Sequence, residues 1–231
     1  MYPTEATVLW SRVPSIDLAT KQKVHSSRND EYGILDIIDK FGVISGGQVQ
    51  AHCIIGPSER KARTLLSRMS HQGKIISHKL TADNRVYKLY TLGPVGAKIL
   101  GRPYNPDYWY FYKTGEAIQR VMALDLYLQM SKALGSEIEV TKGEPLYIFN
   151  FTAKEKVYKI GAIWDNLTAF IETYRWQPPE ERVILICKEL PAISSLLEYI
   201  GEHTPVRVTT CSDLRQGLVL YKPGKDGWEK A

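Results

Sequence analysis

The sequence contains little cysteine and no long apolar run, and both absences exclude classes of protein. Its three cysteines, Cys53, Cys187 and Cys211, lie far apart, so they form neither a disulfide framework nor a clustered zinc site. No run of about 18 apolar residues occurs, so we expect no transmembrane helix and no membrane partner. The first residues lack a basic segment followed by an apolar core, so we expect no secretory signal and a cytoplasmic location.

The sequence also lacks the motifs of several enzyme classes. It has no GxxxxGKS/T and no GxGxxG, which excludes the common nucleotide-binding loops, and no GxSxG, which excludes a hydrolase elbow. Its five histidines include no His-x-His pair, which a relaxase or a nicking enzyme needs to bind its metal ion. We therefore expect no cofactor and no metal site.

The positive charge of the chain is concentrated in one segment. The chain has 231 residues, of which 44% are hydrophobic and 24% are charged, as in a soluble globular protein with one large or two small domains. Its net charge is +5, yet residues 21–101 alone contain 13 Lys and Arg against 6 Asp and Glu. A basic excess within one domain is typical of a nucleic-acid-binding module. An ordinary solvated surface is the alternative.

Residues 30–101 have the pattern of a small helical domain with a hairpin. Residues 1–29 are predicted to be an irregular arm. A helix is predicted from about Asp30 to Phe41, and a second, capped by Ser45, from about Ser45 to Cys53. A third begins at Pro57 or Ser58 and carries an apolar stripe at the i, i+3, i+4, i+7 positions. This stripe consists of Ala62, Leu65, Leu66 and Met69.

The opposite face of the third helix is basic and able to form hydrogen bonds. We predict that this helix lies in the major groove of DNA, where Arg60, Arg63, Thr64 and Ser67 read the sequence. The predicted contact residues of this helix are Ser58, Arg60, Lys61, Arg63, Thr64, Ser67 and Arg68.

Two alternating segments follow, from Lys74 to Thr81 and from Arg85 to Thr91, with a turn at 82–84. They predict a hairpin, and a short helix from Gly93 to Leu100 follows it. Three helices and a hairpin together predict a winged helix-turn-helix over residues 30–101. The hairpin residues predicted to contact phosphates or the minor groove are Lys74, Lys79, Asn84, Arg85 and Lys88.

The stretch VYKLYTLGPVGAKILG (residues 86–101) resembles the wing strand and following helix of winged-helix proteins. With the rest of the chain, it resembles the replication-relaxation family of Gram-positive plasmid and mobile-element proteins. This resemblance implies an N-terminal DNA-binding winged helix and a C-terminal domain related to restriction-endonuclease-like folds. It also implies a role in plasmid replication or mobilisation.

Residues 102–135 are predicted to be a linker and a connecting helix from about Thr114 to Leu134. The linker contains six aromatic residues between Tyr104 and Tyr112. They could stack on single-stranded bases. Packing against protein, either between domains or in a dimer contact, is favoured because few basic residues accompany them.

Residues 136–231 alternate between predicted strands and helices, so this domain is expected to be α/β. The predicted strands are 136–141, 146–152, 182–187, 206–210 and 218–221, and the predicted helices are 159–176 and 189–201. The resemblance implies paired carboxylates that hold Mg²⁺, but the second strand, from Ile148 to Phe151, has none. We expect a nuclease-like scaffold without its metal site, serving dimerisation or partner binding.

These patterns predict a sequence-specific, double-stranded-DNA-binding protein, and the resemblance implies that it belongs to a plasmid or mobile element. It would not be an enzyme, and it would act as a homodimer in transcription regulation, replication or DNA transfer, with plasmid replication or transfer proteins as further partners. One alternative is a metal-dependent nuclease that uses Glu137, Glu139 or Glu155. Another is an adaptor whose winged helix binds a protein.

Overall fold

The structure, a computed structural model, describes residues 6–13, 29–51, 58–82, 84–135, 137–201 and 203–231. The chain divides into two units, residues 3–117 and residues 118–231, and the division falls inside a long helix. Each unit combines helices with one sheet, so the expected mixed α and β architecture is confirmed. None of the helices in these ranges combines the length and the apolar character that a membrane span needs.

Before the long helix that joins the units, the described residues of the first unit form four α-helices, a four-stranded antiparallel sheet and one 3₁₀ helix. In chain order its elements are β1 (Ala6–Leu9), α1 (Asn29–Phe41), β2 (Ile44–Ser45), α2 (Gly46–Ala51), α3 (Glu59–His71), β3 (Ile75–Ala82), β4 (Arg85–Leu92), α4 (Pro94–Ile99) and a 3₁₀ helix (Tyr108–Phe111). The strand order is β1-β3-β4-β2. The helix that joins the units, α5, spans Thr114–Leu134, as predicted.

Capping residues explain where α2 and α3 begin. The backbone N–H of Ser45 donates to Gln48 Oε1, and the backbone N–H of Gln48 donates to Ser45 Oγ, which is a capping box. Ser58 is the N-cap of α3, where its Oγ accepts from the Lys61 N–H. The predicted cap Ser45 is confirmed, and Ser58 lies where the third helix was predicted to begin. Residues 52–57, which include the predicted end of the second helix and Pro57, lie outside the described residues.

The hairpin also forms where it was predicted. β3 and β4 pair from Ile75 opposite Leu92 to Ala82 opposite Arg85, and Asn84 adopts the left-handed conformation in the turn (φ 57°). Asp83, the other residue of this turn, lies outside the described residues.

The expectation of an irregular arm is wrong for residues 6–9. They form β1, which pairs with β3 from Ala6 opposite Ala82 to Leu9 opposite Lys79. A four-residue strand has too little periodicity to be recognised alone, because it gains its hydrogen bonds from a partner far along the chain. The other residues of the predicted arm, 1–5 and 14–28, lie outside the described residues.

The aromatic segment after α4 packs within the first unit, whereas the packing interpretation placed these rings between domains or in a dimer contact. Trp109 is fully buried, and its Nε1 donates to the Ser11 carbonyl oxygen at 3.2 Å. Trp10 Nε1 donates to the Tyr112 carbonyl oxygen at 3.1 Å, and Tyr108 Oη donates to the Gly42 carbonyl oxygen at 2.7 Å. The predicted linker before α5 is therefore part of this unit.

The second unit is built on a seven-stranded mixed sheet. Its elements after α5 are β5 (Glu139–Lys142), β6 (Phe149–Ala153), β7 (Lys156–Ala162), α6 (Leu167–Trp176), β8 (Val183–Cys187), a 3₁₀ helix (Leu190–Glu198), β9 (Val206–Thr210), α7 (Asp213–Gln216), β10 (Tyr221–Gly224) and β11 (Gly227–Lys230). The strand order is β11-β10-β9-β8-β7-β6-β5, and β7, β8 and β9 run parallel. All five residues of β8 are buried, as expected for a central strand.

Two predicted helices of this unit are wrong in part. Residues 159–162 belong to β7 and not to a helix, because Lys154 and Glu155 form a tight turn with positive φ that folds β7 back onto β6. The predicted helix 189–201 is a 3₁₀ helix. β11 has no counterpart among the predicted strands, and the predicted last strand, 218–221, begins only at Tyr221.

Candidate nucleic-acid interface

Helix α3 buries one stripe and exposes the opposite face. Ala62, Leu65, Leu66 and Met69 are buried, as the periodicity predicted. The exposed residues among the predicted contacts of α3 are Arg60, Lys61, Arg63, Thr64, Ser67 and Arg68. The middle of the exposed face therefore offers a guanidinium group and hydroxyl groups, which are suited to base edges and phosphates.

A groove of about 720 Å³ lies between α3 and the β3–β4 hairpin. Helix α3 lines it with Arg63, Ser67 and Ser70, and the hairpin lines it with Lys88 and Tyr90. Burial raises the pKa of the Tyr90 hydroxyl, and the positive charge of Arg63 acts in the opposite direction. Hydroxyl groups and cations therefore face each other across the groove.

Arg63 forms an ion pair with Glu59, one turn earlier on α3. Both side chains are largely exposed, at 79% for Arg63 and 55% for Glu59. Exposed pairs with this spacing contribute only about 0.3–0.5 kcal/mol to stability. The guanidinium group can therefore exchange this partner for another acceptor.

The hairpin presents two lysines on the side that faces the groove. Lys79 on β3 lies directly opposite Lys88 on β4, and both are exposed. Within the described part of the chain, neither has a carboxylate within ion-pair distance. Asn84 and Arg85 are exposed at the tip of the same hairpin. Like charges directly opposite each other destabilise a strand pair, so this arrangement favours an anion between them.

Lys74 is a correction to the predicted contact set. It is 4% exposed, and its Nζ lies 2.5 Å from Glu31 Oε2. Arg68 donates to the other oxygen of Glu31 at 2.7 Å. Burial alone would raise the pKa of Glu31, but its hydrogen bonds with Lys74 and Arg68 outweigh burial and lower this pKa. Lys74 therefore serves to hold α1, α3 and β3 together and is not available to DNA.

The other side of the hairpin is covered by aromatic residues. The ring of His78 lies 4.9 Å from Trp10 and 5.0 Å from Trp109. Its Nδ1 accepts from the Ser11 N–H, so Nε2 carries the proton and donates to Thr91 Oγ1. Burial lowers the pKa of His78 to about 3. This histidine is therefore a neutral core residue.

Sequence reasoning missed several residues that line the groove. They are Glu59, Ser70 and His71 on α3, and Ser77, Val86 and Tyr90 on the hairpin. Ser77 and Tyr90 could have been predicted from the period-2 alternation, because they share a strand face with Lys79 and Lys88. Ser70 and His71 could have been predicted from their helical spacing to Ser67.

The carboxylates of the nuclease alternative lie in exposed positions. Glu137 precedes β5, Glu139 begins it, and Glu155 lies in the turn between β6 and β7. In the part of the chain that the structure describes, no three His, Cys, Asp or Glu side chains lie close enough together to hold a metal ion.

No family model, no curated protein and no solved structure matches this chain. The resemblance to the replication-relaxation family therefore stays a prediction from residue patterns.

Proposed function

We propose that this protein binds double-stranded DNA in a sequence-specific manner through α3 and the β3–β4 hairpin. The observation that carries this proposal is the placement of cations around one groove. Arg63 and Lys88 line it, and Arg60 and Lys79 are exposed on the same two elements, α3 and the hairpin. With the exception of Arg63, these cations have no carboxylate partner among the described residues.

The order of elements in the first unit supports a winged-helix interpretation. Three helices, α1, α2 and α3, precede the hairpin, and β2 adds a short strand to the same sheet. In this interpretation α3 is the recognition helix and the β3–β4 hairpin is the wing. The residues that face the bases are Arg60, Arg63, Thr64 and Ser67, and Lys79 and Lys88 hold the phosphates.

Other parts of the proposal rest on the sequence and on the family resemblance that it carries. They are action as a dimer, origin in a plasmid or mobile element, and a second unit related to restriction-endonuclease-like folds. The position of the bound DNA site, at a promoter or at an origin of replication or transfer, would determine whether binding serves repression, replication or transfer. The second unit would serve dimerisation or partner contacts.

The experiment is a binding titration of the full chain against the DNA that flanks its gene and against random duplex DNA, at about 50 mM and about 200 mM salt. Phosphate contacts release counterions, so affinity for both duplexes should fall at least about tenfold at the higher salt. The flanking DNA should bind more tightly. A Lys79→Ala/Lys88→Ala variant should lose affinity for both, whereas the control Lys98→Ala, an exposed change on α4, should not.

Absence of binding at low salt would overturn the proposal and leave the adaptor as the remaining interpretation. Cleavage of the duplex that requires Mg²⁺ and is lost on changing Glu137, Glu139 or Glu155 would establish the nuclease alternative instead.

A further inference from the structure

We propose that Glu59 is a specificity-determining residue, which accepts a hydrogen bond from the amino group of a cytosine within about two base pairs of the guanine that Arg63 reads. This inference rests on the proposed function. It concerns which bases the same surface selects.

The first observation is that Glu59 is a single carboxylate among the cations of the groove. Glu59 is the only acidic residue on α3, and the only one among the described residues that line the groove, which it shares with Arg63 and Lys88. A carboxylate facing phosphates is repelled by them. It fits a DNA-binding surface only where a donor faces it, and among the bases cytosine N4 and adenine N6 present amino donors in the major groove.

The second observation is the pairing of Glu59 with Arg63. The two side chains reach each other one helical turn apart and remain largely exposed. Arg63 binds Glu59 through one terminal nitrogen, which leaves other N–H groups for the O6 and N7 of guanine. Four residues of helix rise by about 6 Å and base pairs stack about 3.4 Å apart, so the two contacts fall within about two base pairs.

The base is cytosine because of the chemistry of the acceptor. A carboxylate only accepts hydrogen bonds, and cytosine presents a donor in the major groove without an adjacent acceptor. Adenine presents a donor beside an acceptor, which suits the amide of Asn or Gln. The change Glu59→Gln should therefore exchange one base preference for another.

The test is selection of binding sites from a randomised duplex library with the full chain, with Glu59→Gln and with Arg63→Ala. The wild-type motif should contain a guanine that Arg63→Ala no longer selects, and a cytosine within about two base pairs of it. Glu59→Gln should select adenine in place of that cytosine and keep the other positions. Its affinity for the wild-type site should fall about tenfold.

The matched control is Asp36→Asn, which breaks an ion pair of the same spacing with Lys40 on α1. It should leave the selected motif unchanged. Thermal unfolding of each variant verifies that it is folded.

A Glu59→Gln motif identical to that of the wild type would overturn the inference and leave Glu59 as a stabiliser of the first turn of α3. Loss of selection at the guanine with the cytosine still selected would also overturn it, because Glu59 would then act only by positioning Arg63. In both cases the wild type still selects a motif, and DNA binding stands. A wild type that selects no motif overturns sequence-specific binding and this inference together.

Discussion

Lys79 and Lys88 lie directly opposite each other across the β3–β4 hairpin, exposed on the same face. Their repulsion opposes the strand pairing that positions them. We therefore predict that Lys88→Gln stabilises the protein by a few tenths of a kcal/mol and weakens DNA binding. Because phosphates are the expected partners, affinity should fall alike for specific and random duplexes. The number of counterions released on binding, read from the salt dependence of the affinity, should fall by about one.

Urea unfolding and binding titrations at several salt concentrations measure these two effects separately. Lys98→Gln is the control and should change neither quantity. Weaker binding to the specific duplex alone would contradict a role in phosphate contact.

Arg63→Ala should affect binding in the opposite pattern. Loss of a bidentate contact to guanine weakens specific binding by about 1–3 kcal/mol, whereas random DNA should be affected little. Arg102→Ala is the control, because Arg102 is also exposed and ion-paired, with Asp39, but lies outside the groove. Equal losses on specific and random DNA would show that Arg63 does not read bases.

Glu31→Gln should destabilise the first unit strongly. The change leaves the ammonium group of Lys74, which is 5% exposed, without its charge partner. Breaking a buried pair in this way costs about 3–5 kcal/mol in unfolding free energy. Chemical denaturation measures it, and Asp36→Asn, which breaks a partly exposed pair, should cost less than about 0.5 kcal/mol. A loss below about 1 kcal/mol for Glu31→Gln would mean that Lys74 finds water or another partner.

Acid should destabilise the first unit through His78. The pKa of His78 is about 3 in the folded protein, whereas an unfolded chain has the ordinary value of about 6.5. The unfolded state therefore binds the proton more readily, and the stabilisation present above about pH 6.5 is lost progressively as the pH falls toward 3. Between about pH 7 and pH 5 the unfolding free energy should fall by about 2 kcal/mol.

Tryptophan fluorescence during urea unfolding reports this change, because Trp10 and Trp109 flank His78. His78→Gln should flatten the pH dependence in this range, and the exposed control His203→Gln should preserve it. An unfolding free energy that is constant between these pH values in the wild type would refute the assignment.

The helices of the first unit could be predicted because their signals are local. The stripe of α3, its cap Ser58 and the capping residue Ser45 lie within a few residues of the backbone that they organise. β1 could not be predicted in this way, because Leu9 pairs with Lys79, far along the chain. Lys159 shows the same limit, since pairing with Asn150 on β6 decides that it lies in a strand.

The cations of the candidate interface could be predicted only in part. Arg60 and Arg63 follow from helical spacing opposite an apolar stripe. Lys74 has the same local appearance as an exposed cation, but Glu31, 43 positions earlier, binds it in the interior. Which polar residues face the groove depends on how the hairpin lies against α3, and no local pattern encodes that placement.

The short length of β2 has a consequence for solubility. β2 pairs with β4 only at Tyr90 and Leu89, so within the described residues the outer edge of β4 from Arg85 to Lys88 has no strand beside it. The unpaired N–H and C=O groups of such an edge can form hydrogen bonds with a strand of a second chain, and charged side chains along the edge oppose this pairing. A variant stripped of Arg85 and Lys88 to abolish DNA binding would therefore expose Val86 and Tyr87 on an unguarded edge and become prone to aggregation.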